Sequence, residues 1–269
     1  MQINQNPINL FAEEQKADNK LLEKTKISIV IPMYNEEKSI KSVLDKIPHL
    51  PNYEVLVVDD GSRDSSRQIV GSYSDPHVKL IKHEINMGYG KTLLDGIMKS
   101  TGDIILTMDS DGQHEPRDIY NLVAPILKNE ADMVCGSRYL GKYYYPIPFT
   151  SRSGEAILEL IIKIFFKASV KNNQNGFRAY RETIKPVFMD IKNFDFDFAM
   201  ETLMRACLKN LRIVEVPVRV YGRRFGSSRI RLVRLLMKLC KCILNFITLK
   251  YLGPVAHSKL SKLLEYIKF

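Results

Sequence analysis

Asp109 and Asp111 stand one residue apart, with Ser110 between them, Gly112 after and Gln113 next. Two carboxylates this close repel each other unless a cation or a set of donors neutralises them. Hard divalent cations such as Mg²⁺ take one or two carboxylates and complete their shell with substrate phosphates. Gln113 adds a neutral oxygen at the same turn. A lone D-x-D pair is more often a solvated Asp-Gly turn, so its meaning depends on what surrounds it. Two further acidic sites follow apolar runs in the same way: Asp59 and Asp60 after Val55-Leu-Val-Val58, and Glu36 shortly after Ile27-Ser-Ile-Val-Ile-Pro32.

Ile104, Ile105, Leu106 and Met108 read as a central strand covered on both faces. Residues 27–32, 54–60 and 78–81 read as further strands, and 132–135 as a fifth. Helices are expected over 39–47, with Asn35 as N-cap and acids in the first turn. Others are expected near 117–127 and after the glycine loop Asn86–Gly90. Alternating strands and helices predict an α/β fold with a doubly wound, mostly parallel sheet and helices on both faces. Ligands bind such sheets at the carboxyl ends of the strands, which is where the acids fall.

The chain has 269 residues, 45% hydrophobic and 26% charged, enough for a substantial globular core. Cys135, Cys207, Cys240 and Cys242 show neither zinc spacing nor a disulfide framework, which fits a reducing compartment. The first 25 residues are polar, without the apolar core of a signal peptide, and are expected to form a flexible tail. No uncharged apolar run is long enough for a membrane-spanning helix.

The net charge of +10 is local: no acid lies between Glu215 and Glu265, an interval with eleven Lys and Arg. Its partner should be anionic. Within 230–269, Arg231, Arg234, Lys238, Lys241, Asn245 and Thr248 form one narrow helical stripe on an otherwise apolar segment. That predicts a basic amphipathic helix at an anionic membrane interface, with a homodimer seam or an intramolecular core helix as alternatives. Ala156–Ala168 reads as a core or membrane-facing helix.

Several pieces now line up in order: Val30–Glu37, Val57–Ser62, Asn86–Gly90, Met108–His114, Gly136–Tyr139, Gly176-Phe-Arg178, Glu201, Glu215–Pro217 and Arg223–Arg229. Together they resemble family 2 glycosyltransferases of the GT-A fold, in particular the dolichol-phosphate mannose synthase-like, polyprenyl-phosphate glycosyltransferase group. The resemblance covers about residues 27 to 230 and implies a GT-A domain over 26–229.

It also implies roles. Pro32, Tyr34, Glu36, Val58, Asp60, Asp109, Ser110 and Arg138 would bind the nucleotide-sugar. Asp109, Asp111 and Gln113 would hold Mg²⁺ or Mn²⁺, with Asp111, Glu201 and Arg138 as catalytic residues. Arg178, Arg223 and Arg229 would hold the acceptor phosphate. Asn172 stands where the group usually has an acid. The implied reaction is an inverting hexose transfer from a nucleotide-sugar, GDP-mannose first and UDP-glucose second, to a polyprenyl or dolichyl phosphate. It would occur at the cytoplasmic membrane face, by a peripheral protein that does not bind nucleic acid, with a second copy of the chain among the partners considered.

Other classes are a soluble transferase acting on sugars or proteins, and a non-enzymatic nucleotide-binding scaffold. A processive polysaccharide synthase is disfavoured because the chain has no tryptophan for the Q-x-x-R-W motif of those relatives. A nicotinamide-binding domain is disfavoured because Gly88-x-Gly90 follows the third strand rather than the first.

Overall fold

A computed structural model describes residues 20–48, 50, 52–146, 149–189, 191, 197–223, 225 and 238–253. Strands β1 (Ile27–Met33), β2 (Tyr53–Asp59), β3 (Val78–Lys82), β4 (Ile104–Thr107), β5 (Met133–Tyr144), β6 (Arg178–Arg181) and β7 (Ile213–Tyr221) form one sheet. The order is β3-β2-β1-β4-β6-β5-β7. All pairings are parallel except those of β6, which runs antiparallel to both β4 and β5.

Alternation along β1 shows how the sequence builds two layers. Ile27, Ile29 and Ile31 face one core, with α1 (Ile40–Leu44), α2 (Ser66–Gly71) and α4 (Ile119–Leu127). Val30 faces the other, with α3 (Tyr89–Lys99), α5 (Phe149–Phe166), α7 (Phe198–Leu208) and α8 (238–253). Successive strand side chains point to opposite faces, and each fully buried Ile or Val contributes about 1.5–3 kcal/mol. A short helix, α6 (Lys185–Met189), precedes α7.

Four expectations change. The fifth strand runs to Tyr144, so Gly136-Ser137-Arg138 lies inside it, because its outer half finds a ladder partner in β7. Asn35 does not cap a helix: it has φ 55° and accepts a hydrogen bond from the Arg63 amide, tying two loops together. Helix α1 begins only at Ile40. The wide apolar face of α8 is largely spent on the domain itself, since Leu239, Cys242, Ile243 and Phe246 join the core. Leu244, Tyr251 and Leu252 remain exposed. Arg231 and Arg234, with most of the tail expected over 1–25, lie outside the described residues.

Candidate active site

The parallel register brings the ends of β1, β2 and β4 to one rim. The Asp60 amide donates to Met33 O, the Met108 amide to Val30 O, and Ser110 Oγ to Pro32 O at 2.7 Å. The turn after β4 is shaped by His114. The Asp109 amide donates to His114 Nδ1 (3.2 Å), so the ring proton sits on Nε2, 2.9 Å from Asn175 Oδ1. The His114 ring stacks on Phe177 at 4.8 Å, and Asn175 Nδ2 donates to Gly136 O. One histidine thus ties the acidic turn to the loops before β6 and within β5.

Asp109 Oδ1 accepts from Tyr89 Oη at 2.8 Å. Gly176 packs so closely here that a Cβ would stand 2.6 Å from Tyr89 Oη and 3.2 Å from Asp109 Oδ1. A side chain at 176 would therefore push the Tyr89 hydroxyl aside and crowd the carboxylate. The Asp109 side chain is 30% accessible. Its pKa is nonetheless raised: burial is the largest cause, His114 opposes it, and the charge of Asp111 adds to it. Asp111 Oδ1 accepts from the Gln113 amide, and Oδ2 receives Arg223 through Nη2 (2.7 Å) and Nε (3.0 Å). Gln113 is anchored by Nε2 to Tyr221 O.

The acids after β2 are already occupied. Asp59 is fully buried between the Ser62 amide and Arg67 Nε. Asp60 accepts from the amides of Met87 and Gly88, and His83 Nδ1 lies 2.9 Å away. Gly88 has φ 94° there, a backbone conformation that favours glycine. Asp60 thus holds the glycine loop in place, with little carboxylate left to offer a nucleoside. Glu36 is at the same rim, receiving Ser39 Oγ, and Tyr34 is half-buried beside it.

Two implied roles do not fit. Val58 is fully buried in the core, against the place a Gly96 side chain would take, so its side chain cannot touch a nucleotide. Arg178 is 1% exposed, and its guanidinium donates to Asn175 O, Ala199 O, Thr202 Oγ1 and Asn173 O. It braces β6 against α7, and its fork is spent on the protein's own oxygens. Glu201 sits on α7, paired with Arg205 at 2.7 Å, with its other oxygen buried and unpartnered. Arg229 lies outside the described residues.

A cationic cluster lies at Arg138. Its Nη2 donates to Glu155 Oε1 (2.8 Å) and Nη1 to Tyr145 Oη. Burial works against the Arg138 charge, but Glu155 and the flanking tyrosines outweigh it and raise its pKa. The Arg152 guanidinium lies 4.0 Å over the Tyr139 ring. Ser137 Oγ, Arg138 Nε and Arg152 Nη1 are all buried without a hydrogen-bond partner. Three buried donors without acceptors, two of them on guanidiniums, fit an anionic ligand. Arg152 carried no signal in the sequence, since an arginine before an apolar helix is ordinary; Ser137 lies within the Gly136–Tyr139 motif but was given no role of its own.

The profile of Glycosyl transferase family 2 matches residues 28–185. The UDP-N-acetylglucosamine–dolichyl-phosphate N-acetylglucosaminyltransferase of Methanococcus voltae is 30% identical, over 76% of this chain and 88% of that protein. The dolichol-phosphate mannosyltransferase of Pyrococcus furiosus is 31% identical, over 77% of this chain and 59% of that protein. Among solved structures, glucosyl-3-phosphoglycerate synthase from Mycobacterium tuberculosis, in complex with Mn²⁺, UDP and glucosyl-3-phosphoglycerate, superposes with a TM-score of 0.66 at 20% identity. That match covers 86% of this chain and 82% of the other. The ordered motifs, the reversed strand in a parallel sheet and the acidic turn at its rim agree with these matches: the chain belongs to glycosyl transferase family 2 and is a glycosyltransferase of the GT-A fold.

Proposed function

We propose that this enzyme transfers a hexose, with inversion, from a nucleotide-sugar to a polyprenyl (dolichyl-type) phosphate at the cytoplasmic face of a membrane. One observation carries the reading: an acidic pair fit for a cation sits on the same rim as a cationic cluster with unfilled donors. A donor diphosphate and an acceptor phosphate need those two environments side by side.

Asp109 and Asp111 fit a hard cation in donor chemistry. No three His, Cys, Asp or Glu side chains form a ready-made cage among the described residues. A cation here would accordingly take the two carboxylates, with Gln113 beside them, and complete its shell from the ligand's phosphates. When bound, Mg²⁺ or Mn²⁺ would stabilise the departing nucleoside diphosphate. Arg223 occupies Asp111 in a cation's place and would turn to phosphate once displaced. Tyr34, Glu36, Pro32 and Ser110 line the nucleoside side.

The acceptor phosphate is already ionised near neutral pH, so no strong base has to create the nucleophile. What it requires is orientation, which Arg138, Arg152 and the Ser137 hydroxyl can supply; Arg223 is a further cation for it, and Arg229 lies outside the described residues. Glu201 would serve as base only for a hydroxyl acceptor. For the membrane, outward-facing Ile157, Leu160 and Ile164 form a stripe on α5, and Leu244 and Leu252 lie on α8. The basic C-terminal interval complements anionic lipid. No described helix is long and apolar enough to cross a membrane.

GDP-mannose is the first donor to test. A UDP-linked sugar is the second reading, favoured by the Methanococcus relative, 88% of which this chain covers. Labelled nucleotide-sugars incubated with polyprenyl phosphate and Mn²⁺ or Mg²⁺ should yield a lipid-extractable product with one donor. A product with sugar or protein acceptors, and none with lipid, would overturn the proposal.

A further inference from the structure

The Arg138 cluster holds two guanidiniums and one carboxylate. That carboxylate, Glu155, comes from α5, one helical turn after Arg152. Its Oε1 takes Arg138 Nη2 at 2.8 Å, and its Oε2 takes Tyr139 Oη at 2.6 Å. Asn172 closes the ring from the loop before β6: its Oδ1 accepts the Arg138 amide at 3.3 Å, and its Nδ2 lies 3.5 Å from Glu155 Oε2. Asn173 Nδ2 donates to Glu155 O at 3.2 Å, pinning the helix turn itself.

We infer that Glu155 is the positioning residue for Arg138: it fixes the guanidinium so that Nε, with Ser137 Oγ and Arg152 Nη1, is left to the substrate phosphate. The inference rests on the acceptor-phosphate reading above. Its physical basis is charge balance. A buried arginine without a carboxylate is costly, whereas two carboxylates 3.5 Å apart would repel. Facing Arg138, the negative charge therefore stands at 155, while 172 carries a neutral amide whose backbone N–H donates to a further carboxylate, Glu215 Oε1, at 2.7 Å. Moving the charge from one to the other should conserve the cluster.

The test is a charge exchange in the full chain: Glu155→Gln, Asn172→Asp and the double variant, each assayed for both substrates. Losing one charge-assisted contact is worth about 10- to 100-fold. In Glu155→Gln, kcat/KM for polyprenyl phosphate should fall about 30-fold, mostly through KM, while KM for the nucleotide-sugar stays within about twofold. Asn172→Asp should also lose activity, by like-charge contact. The double variant should recover about tenfold or more over Glu155→Gln.

No recovery in the double variant overturns the inference, as does wild-type acceptor kinetics in Glu155→Gln. So does a loss that falls equally on both substrates alongside a lower melting temperature. If the wild-type chain transfers no sugar to lipid, the acceptor reading has failed, and the pairing is judged on melting temperature. Singles lowered and the double restored then support the exchange of charge, and additive losses overturn it.

Discussion

Glu54 at the amino end of the sheet and Asp109 at its carboxyl end are treated in opposite ways. At the amino end, Glu54 on β2 is buried and fully served. Ser28 Oγ, the Thr101 amide and Thr101 Oγ1 donate to one oxygen at 2.7 Å each, and Lys79 Nζ lies 3.1 Å from the other. Burial alone would raise its pKa, but these donors outweigh it and hold it at about 2. At the carboxyl end, Asp109 keeps a raised pKa, and Ser137, Arg138 and Arg152 keep donors without acceptors. Both ends are polar, yet Glu54 has its donors filled and the carboxyl end keeps donors without acceptors. Polar satisfaction, rather than charge, separates scaffold from site.

The contrast is most easily broken by neutralising acids at each end. Asp111→Asn should lower transfer by about a thousand-fold or more, read as kcat/KM, because it removes one of the two carboxylates proposed to hold the cation. Asp109→Asn should do the same yet raise the melting temperature by about 1–3 °C near neutral pH. A pKa raised on folding means that the stability tied to that proton is present at low pH and lost as pH rises through the folded value. The asparagine removes that cost. A clear fall in melting temperature would contradict the contrast.

Glu54→Gln should behave in the reverse way. Its folded pKa lies below the unfolded one, so its stability is present above the unfolded value and lost as pH falls from about 4.5 to about 2. At neutral pH the substitution should cost on the order of 3 kcal/mol by denaturant unfolding, with little change in the KM of either substrate. The smallest effect tests the stand-in cation at the rim. Arg223→Gln should strengthen Mn²⁺ binding about tenfold by calorimetry, since the metal no longer displaces an ion pair. Unchanged Mn²⁺ affinity would mean that Arg223 does not compete for Asp111.

Much of the fold was legible in the residues. The apolar runs of β1, β2 and β4 are continuous because those strands are covered on both faces, and the order of short motifs indicated the family. β6 was not legible. Arg178-Ala-Tyr-Arg181 has no apolar run, and its burial depends on carbonyls lent by residues 173, 175 and 199. For the same reason Arg178 resembles a phosphate ligand in sequence and is a brace in three dimensions. Of the stripe read over 231–248, Lys238, Lys241, Asn245 and Thr248 fall on the described α8, where Thr248 is buried; spacing cannot say whether an apolar face meets lipid or the chain's own α7. At the site, Asp109, Asp111 and Arg138 could be picked out by motif. Glu155 and Arg152 could not, because their contacts come from neighbours distant in sequence, and His114 stood in the Met108–His114 motif without a role of its own.

The reversed direction of β6 has a practical result. A strand parallel to the others would have begun at the far edge and sent only its exit to the catalytic rim. Running the opposite way, β6 delivers its entrance there instead, so the segment 170–177 arrives between β4 and β5 before it is threaded into the ladder. Its backbone is tethered at the last residues, where Thr107 Oγ1 reaches Gly176 O and the Gly136 amide reaches Phe177 O. Lengthening or shortening that stretch would shift Gly176 against Asp109 and Asn172 against Arg138 together, so an insertion here should be far less tolerated than one in the loop between α2 and β3.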